Sequence, residues 1–268
     1  MKPPVPANSG EDAPPPTIEW PEHYGRVVTP VFRETAPRAL DFCGSAVLIA
    51  GDDGSPWLIS AAHVLAEMEH SPLVVVASRS AYYYIVTVGK AVSTCELTPK
   101  HAANDRTDLA FVQLNSTIAE RLREDFQFLP IAATDHSRHL PFAVPCMLDG
   151  YPRAFVEMEN GRPRTLMEMR TQSILLPDEA VRRRYGLAIG VHLVAPFQQM
   201  RDGAKQPMAT PDPEGMSGGA IWTQSPGEVL LTGIIIEHDP KRREIVGTRI
   251  GRLAAELSRR IAVSKLNS

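Results

Sequence analysis

Three segments carry residue types that can do chemistry in concert. Leu58-Ile59-Ser60-Ala61-Ala62-His63-Val64-Leu65 is an apolar strand pattern that runs into small residues and then a His. Small side chains let the backbone turn tightly and leave an imidazole at a strand end, where it can take a proton near neutral pH. Arg106-Thr107-Asp108-Leu109-Ala110-Phe111-Val112-Gln113-Leu114 sets a carboxylate at the mouth of a second strand. A partly buried Asp there needs a donor, and an imidazole N–H would serve it. Asp105 lies nearby, but Asp108 is the one that abuts the apolar run. Pro213-Glu214-Gly215-Met216-Ser217-Gly218-Gly219-Ala220 flanks a Ser with glycines on both sides. Glycines permit a sharp turn that exposes the hydroxyl. They also let the backbone N–H groups of Gly215 and Ser217 converge where an oxyanion forms in acyl transfer.

Each segment alone has a plainer reading: a core histidine, a turn-capping Asp, an ordinary Gly-rich loop. Their combination is what points to nucleophilic catalysis, with Ser217 as nucleophile, His63 as base and Asp108 as its orienting partner.

The elements that must position them are mostly strands. Short β-branched and aromatic runs at 26–32, 44–50, 56–60, 73–78, 82–88 and 109–114 alternate with turn residues, as do those at 144–149, 165–175, 187–194, 220–224, 229–236 and 245–250. Pro30 in the first run implies an edge or a bulge. Gly51-Asp52-Asp53-Gly54 reads as a hairpin turn, and Ser225-Pro226-Gly227 as another. One helix is expected at 118–126. A closing helix is expected after Ile250, where Leu253, Leu257 and Ile261 recur at helical spacing. Many strands and few helices predict an all-β fold. Residues 1–22 hold seven prolines and read as an extended arm.

Composition narrows the function. The 268 residues are 43% hydrophobic and 22% charged, with a net charge of −3, so the chain has no global field for nucleic acid or an anionic membrane. Residues 241–268 are locally basic, read as the solvated face of a terminal helix. No apolar run follows Lys2, so no secretory leader is expected, and no stretch is long enough to span a bilayer. Cys43, Cys95 and Cys146 lack CxxC spacing, which argues against a disulfide framework or a zinc site. A cytoplasmic protein with reduced thiols is expected, without cofactor or metal.

Together the three segments resemble the trypsin/chymotrypsin-like serine proteases, of the bacterial trypsin-like peptidase type. The His, Asp, Ser order is theirs, with 45 residues from His63 to Asp108 and 109 from Asp108 to Ser217. Phe42-Cys43-Gly44-Ser45, Gly150-Tyr151-Pro152 and Gly247-Thr248-Arg249-Ile250 also look like family segments, so the likeness covers roughly residues 26–263. It implies two packed antiparallel six-stranded β-barrels with a C-terminal helix and the triad between them. The N-terminal barrel would occupy about 23–130 and the C-terminal barrel with its helix about 131–268. It implies a serine endopeptidase acting on protein or peptide substrates through an acyl-enzyme, with Gly215 and Ser217 as oxyanion donors.

Two departures matter. Val64 stands where secreted relatives carry a Cys that bridges to the position of Cys43, in keeping with a reducing compartment. Met216 stands where zymogen-type relatives carry an Asp that pairs with a new N-terminus. No proteolytic activation is therefore expected, and the arm is not needed for chemistry. Whether a regulatory protein partner orders the loop stays open.

By the same resemblance the substrate pocket falls among Pro211, Asp212, Glu214, Ile236, Glu237 and His238. Pro211 at its base is not the Asp that selects Lys or Arg. Asp212 and Glu214 would favour a basic group. His238 would favour an acidic one, as a wall His does in glutamyl endopeptidases. A small or apolar residue is the preferred reading. Three rivals are a protease-like binding module, an esterase or acyl transferase on the same triad, and metal hydrolysis through His63, Glu67 and His70. The last of these lacks HExxH spacing.

Overall fold

The computed structural model describes residues 26–37, 39–77, 82–85, 87, 92–93, 107–135, 137, 139–187, 190–197, 211–225 and 228–251. The arm, the Pro226-Gly227 turn and nearly all of the expected closing helix lie outside them.

The first half of the chain forms a sheet of β1 (Val28–Ala36), β2 (Ala39–Ala50), β3 (Pro56–Ala61), β4 (Leu73–Val76), β5 (Tyr82–Tyr84), β6 (Val92–Ser93) and β7 (Leu109–Gln113). Their spatial order is β5-β4-β1-β2-β3-β7-β6, and β8 (Leu129–Pro130) pairs parallel to β2. A bridge from Thr87 to Leu114 brings the chain after β5 back to the end of β7, so the sheet curls on itself. It holds eight strands rather than six because β6 and β8 are two-residue pieces. The Pro30 expectation holds: β1 shifts register between Val31 and Phe32, and β4 joins it only from Val31 onward.

The second sheet has the order β12-β9-β14-β15-β16-β13, with β9 (Val144–Gly150), β12 (Met169–Leu175), β13 (His192–Pro196), β14 (Ala220–Ser225), β15 (Glu228–Asp239) and β16 (Glu244–Arg249). Its two ends meet: Leu176 N–H donates to the Val194 carbonyl at 2.8 Å and Ser173 Oγ to the Pro196 carbonyl at 2.5 Å. Between β9 and β12, β10 (Val156–Glu159) and β11 (Arg162–Leu166) form a separate hairpin, tied to β2 where Leu40 N–H meets the Gly161 carbonyl at 2.8 Å. The strand expected over 165–175 is therefore two strands, broken at Met167-Glu168.

Among the described residues the α-helices are few: α1 (Ala62–Ala66), α2 (Ser116–Leu122) and α3 (Asp178–Tyr185). The Asn115 side chain caps α2 by accepting from Thr117 N–H. That helix ends earlier than expected, in a turn that buries Phe126. Nothing in the hydrophobic pattern announced α3. Its charges do favour it, with Asp178 and Glu179 in the first turn, Arg182, Arg183 and Arg184 in the last, and Gly186 closing it at φ 64°.

The strands that reach the site are covered on both faces. Trp57 and Ile59 of β3, with Leu109 and Phe111 of β7, feed a core shared with Met147, Trp222 and Ile234 of the second sheet. The alternate residues, Leu58, Ala110 and Val112, feed another core with Val64, Leu65 and Ile236. Full burial of side chains of this size contributes about 1.5–3 kcal/mol each. This shared core fixes the two barrels against one another at the residues that flank the site.

Candidate active site

The β3–β7 ladder brings His63 and Asp108 together across 45 residues of chain. Ala61 pairs with Leu109, so the next residues outward, Ala62 and Asp108, also lie side by side, and Ala62 N–H donates to the Asp108 carbonyl at 2.9 Å. α1 then buries Ala62, Val64 and Leu65 and turns His63 outward. His63 Nδ1 lies 2.6 Å from Asp108 Oδ2, and His63 backbone N–H donates to Asp108 Oδ1 at 3.0 Å. Asp108 holds φ at +39°, a region that Asp tolerates better than most residues. Its turn is tied to the other barrel, because Thr248 Oγ1 donates to the Thr107 carbonyl at 2.5 Å.

Ser217 is held from both barrels. Its carbonyl accepts from Ser45 N–H of β2 at 2.8 Å, and Gly218 N–H next to it donates to the Ile235 carbonyl of β15 at 2.7 Å. Gly218 sits at φ 87°, and a Cβ there would lie 1.8 Å from the Ser45 carbonyl oxygen, so only glycine fits. The Ser217 hydroxyl donates to the Ile236 carbonyl at 3.4 Å; it is not hydrogen-bonded to His63. Such contacts are often long without substrate and tighten when it binds.

The loop before Ser217 aims two donors. Its peptides are trans, so each N–H points opposite to the carbonyl of the same unit. The Glu214 carbonyl accepts from Arg153 N–H at 2.6 Å, and the Met216 carbonyl from Gly219 N–H at 2.8 Å. Gly215 N–H and Ser217 N–H therefore point the other way, and neither meets an acceptor among the described residues. Gly215 adopts φ 90°, and a Cβ on it would lie 2.4 Å from the Phe42 ring. Met216 is fully buried in an apolar cluster with Leu148, Ile221 and Ile235.

The residues expected to line the pocket gather along the 211–216 loop and β15. His238 Nδ1 stands 3.7 Å from Asp212 Oδ1, and its ring meets Phe197 edge-on with centroids 6.2 Å apart. Asp212 also accepts from Glu214 N–H at 3.0 Å. Pro211 is half-buried, Ile236 is buried, and Glu214 and Glu237 are exposed. Two of the three residues of the metal reading are engaged elsewhere: Glu67 pairs with Arg33 at 2.7 Å and His63 with Asp108. Among the described residues no cluster of three or more His, Cys, Asp or Glu is set to hold a metal, and no helix is long and apolar enough to cross a membrane. Cys43 is half-buried and burial pushes its thiol up to about 11; Cys146 is fully buried.

Two participants escaped the sequence. Ser45 stands in the Phe42–Ser45 segment with no catalytic pattern around it, yet its hydroxyl reaches the Gly215 carbonyl at 3.2 Å. Arg153 supplies the N–H to Glu214, and its guanidinium reaches back to the Phe42 carbonyl at 3.1 Å. Neither has a neighbouring sequence signal.

No family model and no curated protein matches this chain by sequence. Solved structures do. A GrC structure, granzyme C, is similar at a TM-score of 0.56 with 14% identity. Mouse neuropsin, a serine protease of the limbic system, is similar at 0.57 with 14% identity. In both cases the match covers 88% of this chain and 94% of the other. The chain has the two-barrel fold of the trypsin-like serine proteases.

Proposed function

We propose that the chain is a serine endopeptidase that cleaves protein or peptide substrates through His63, Asp108 and Ser217. The observation that carries this reading is the His63–Asp108 pair, Nδ1 to Oδ2 at 2.6 Å. That contact leaves Nε2 as the nitrogen able to take a proton. Ser217 Oγ attacks the scissile carbonyl carbon as its proton passes to His63 Nε2. The carbonyl oxygen becomes an oxyanion held by Gly215 N–H and Ser217 N–H. The intermediate collapses, the C–N bond breaks, and His63 returns the proton to the leaving amine. Water, deprotonated by His63, then attacks the acyl-enzyme ester and releases Ser217 and the carboxylic acid. The free thiol of Cys43, packed against the core that holds Val64, fits a reducing, cytoplasmic setting.

One observation favours a second reading, a protease-like binding module: the Ser217 hydroxyl engages Ile236 rather than His63. A fluorophosphonate probe separates the two. Labelling that maps to Ser217 and disappears in Ser217→Ala, with parallel loss of casein or peptide hydrolysis, supports the enzyme. An unlabelled, folded wild-type protein that cleaves no peptide library leaves the binding module.

A further inference from the structure

Ser45 lies on β2, in the barrel opposite the nucleophile loop, and is fully buried. Pro30, paired across from it, has no N–H to offer, and the backbone groups of Ser45 bond elsewhere. Its N–H goes to the Ser217 carbonyl at 2.8 Å, and its carbonyl accepts from Ser60 Oγ at 2.7 Å. Its hydroxyl is used twice, donating to the Gly215 carbonyl at 3.2 Å and accepting from Tyr151 N–H at 3.0 Å.

The loop holds three consecutive peptide units. The carbonyls of the first and third are fixed by backbone N–H groups, those of Arg153 and Gly219. The middle carbonyl, that of Gly215, is fixed by a side chain, Ser45 Oγ. The N–H of the same unit, that of Met216, donates to the Pro213 carbonyl at 2.9 Å, so Ser45 Oγ and Pro213 hold the unit at its two ends, next to a Gly215 with no Cβ to limit rotation. The unit is joined through the Cα atoms of Gly215 and Met216 to the two units that carry the Gly215 and Ser217 N–H groups, so displacing it misaims both donors.

We infer that Ser45 is a positioning residue for the oxyanion donors, holding the Gly215 peptide from the opposite barrel. The inference rests on the endopeptidase reading. Ser45 takes no part in proton transfer and touches no reacting atom. In a chain with Met216 beside the nucleophile, its hydroxyl supplies part of the restraint on the loop.

The test is Ser45→Ala in the full chain, assayed on a peptide substrate and with a peptidyl trifluoromethyl ketone, whose adduct carries an oxyanion in the same place. Removing an oxyanion donor outright costs about 10²–10³ in kcat; misaiming donors that remain should cost about 10–10². The loss should fall on kcat with KM within about two-fold, ketone affinity should drop by a similar factor, and the pKa of the adduct's oxyanion should rise. A merely structural role would not move that pKa. Ser45→Cys, which keeps the volume with a weak donor, covers the case in which the Ala variant does not fold, and should show the same split. Folded variants with unchanged kcat, or with an unshifted adduct, overturn the inference while wild-type labelling at Ser217 leaves the endopeptidase reading standing. Absence of wild-type labelling overturns both.

Discussion

Asp108 grips His63 twice, by the ring at Oδ2 (2.6 Å) and by the backbone N–H at Oδ1 (3.0 Å). The two bonds fix the imidazole relative to its own main chain, and so fix which nitrogen faces the cleft. The Asp108 carbonyl adds a third tie through Ala62 N–H.

Asp108→Asn tests that grip. Asn tolerates the positive φ of this position, so the fold should survive. Its amide can still accept from His63 N–H, but it presents N–H to Nδ1 and selects the wrong tautomer. We expect kcat/KM to fall by about 10⁴, the size of loss that the wrong tautomer causes in a Ser-His-Asp triad, with Tm nearly unchanged. The Asp108→Asn and Ser217→Ala losses should not add in the double variant, because the residues act as one unit. An active Asp108→Asn enzyme would show that Asp108 is only a turn residue.

Gly218 gives a stability prediction with an internal control. Gly218 and Gly54 both hold positive φ, at 87° and 77°. A Cβ on Gly54 meets nothing within 4 Å, so Gly54→Ala should cost only the backbone strain, about 1–2 kcal/mol. A Cβ on Gly218 overlaps the Ser45 carbonyl and lies 2.1 Å from Ser60 Oγ, so the strand or the loop must move. Gly218→Ala should lower Tm clearly more and abolish labelling at Ser217. Equal melting temperatures for the two variants would mean that the contact with Ser45 does not restrain the loop.

The sequence showed the site more clearly than its supports. His63, Asp108 and Ser217 stood out because small residues or glycines flank two of them and an apolar strand follows the third. Those patterns follow from the same turns and ladders that place the residues. The β10–β11 hairpin was missed although its turn, Asn160-Gly161, is a strong short-range hairpin signal, both residues at positive φ. Glu157, Glu159, Arg162 and Arg164 around it left no apolar alternation to notice. α3 was missed because charges at its ends, rather than an apolar stripe, define it. Ser45 was illegible as a support because its role comes from where β2 meets a loop 170 residues later.

Asp149 lies beneath the nucleophile loop, fully buried, with Oδ2 3.3 Å from Arg170 Nε. Burial pushes its carboxyl well above the usual 3.8; Glu168 adds to the rise and Arg170 opposes it. A carboxyl raised on folding binds its proton more tightly in the folded state. Its stabilisation is present in full below the unfolded value and is lost as pH rises through the folded one. Across that window the slope is at most about 1.4 kcal/mol per pH unit. Asp149→Asn carries no such loss, so wild-type Tm should fall relative to the variant between pH 4 and pH 8. A gap that moves the other way would identify Asp149 as a charged partner of Arg170.

His238 stands two residues beyond Ile236, whose carbonyl meets the Ser217 hydroxyl, or about 7 Å along the strand. Its pairing with Asp212 spans the gap between β15 and the loop before Ser217. In the proposed enzyme that gap receives the side chain preceding the scissile bond. An imidazole backed by Phe197 takes up the space, with the Asp212 carboxylate beside it, so large side chains should fit poorly. We predict cleavage after Ala, Ser or Val. His238→Ala should raise kcat/KM for a Leu or Phe substrate relative to an Ala substrate by about ten-fold or more, since each added methylene is worth about 1–3 kcal/mol in a fitting pocket. Cleavage-site profiling of a denatured proteome provides the readout. Wild-type cleavage mainly after Glu or Asp would make His238 an anion receptor instead of a plug. Cleavage mainly after Lys or Arg would give the pocket to Asp212 and Glu214.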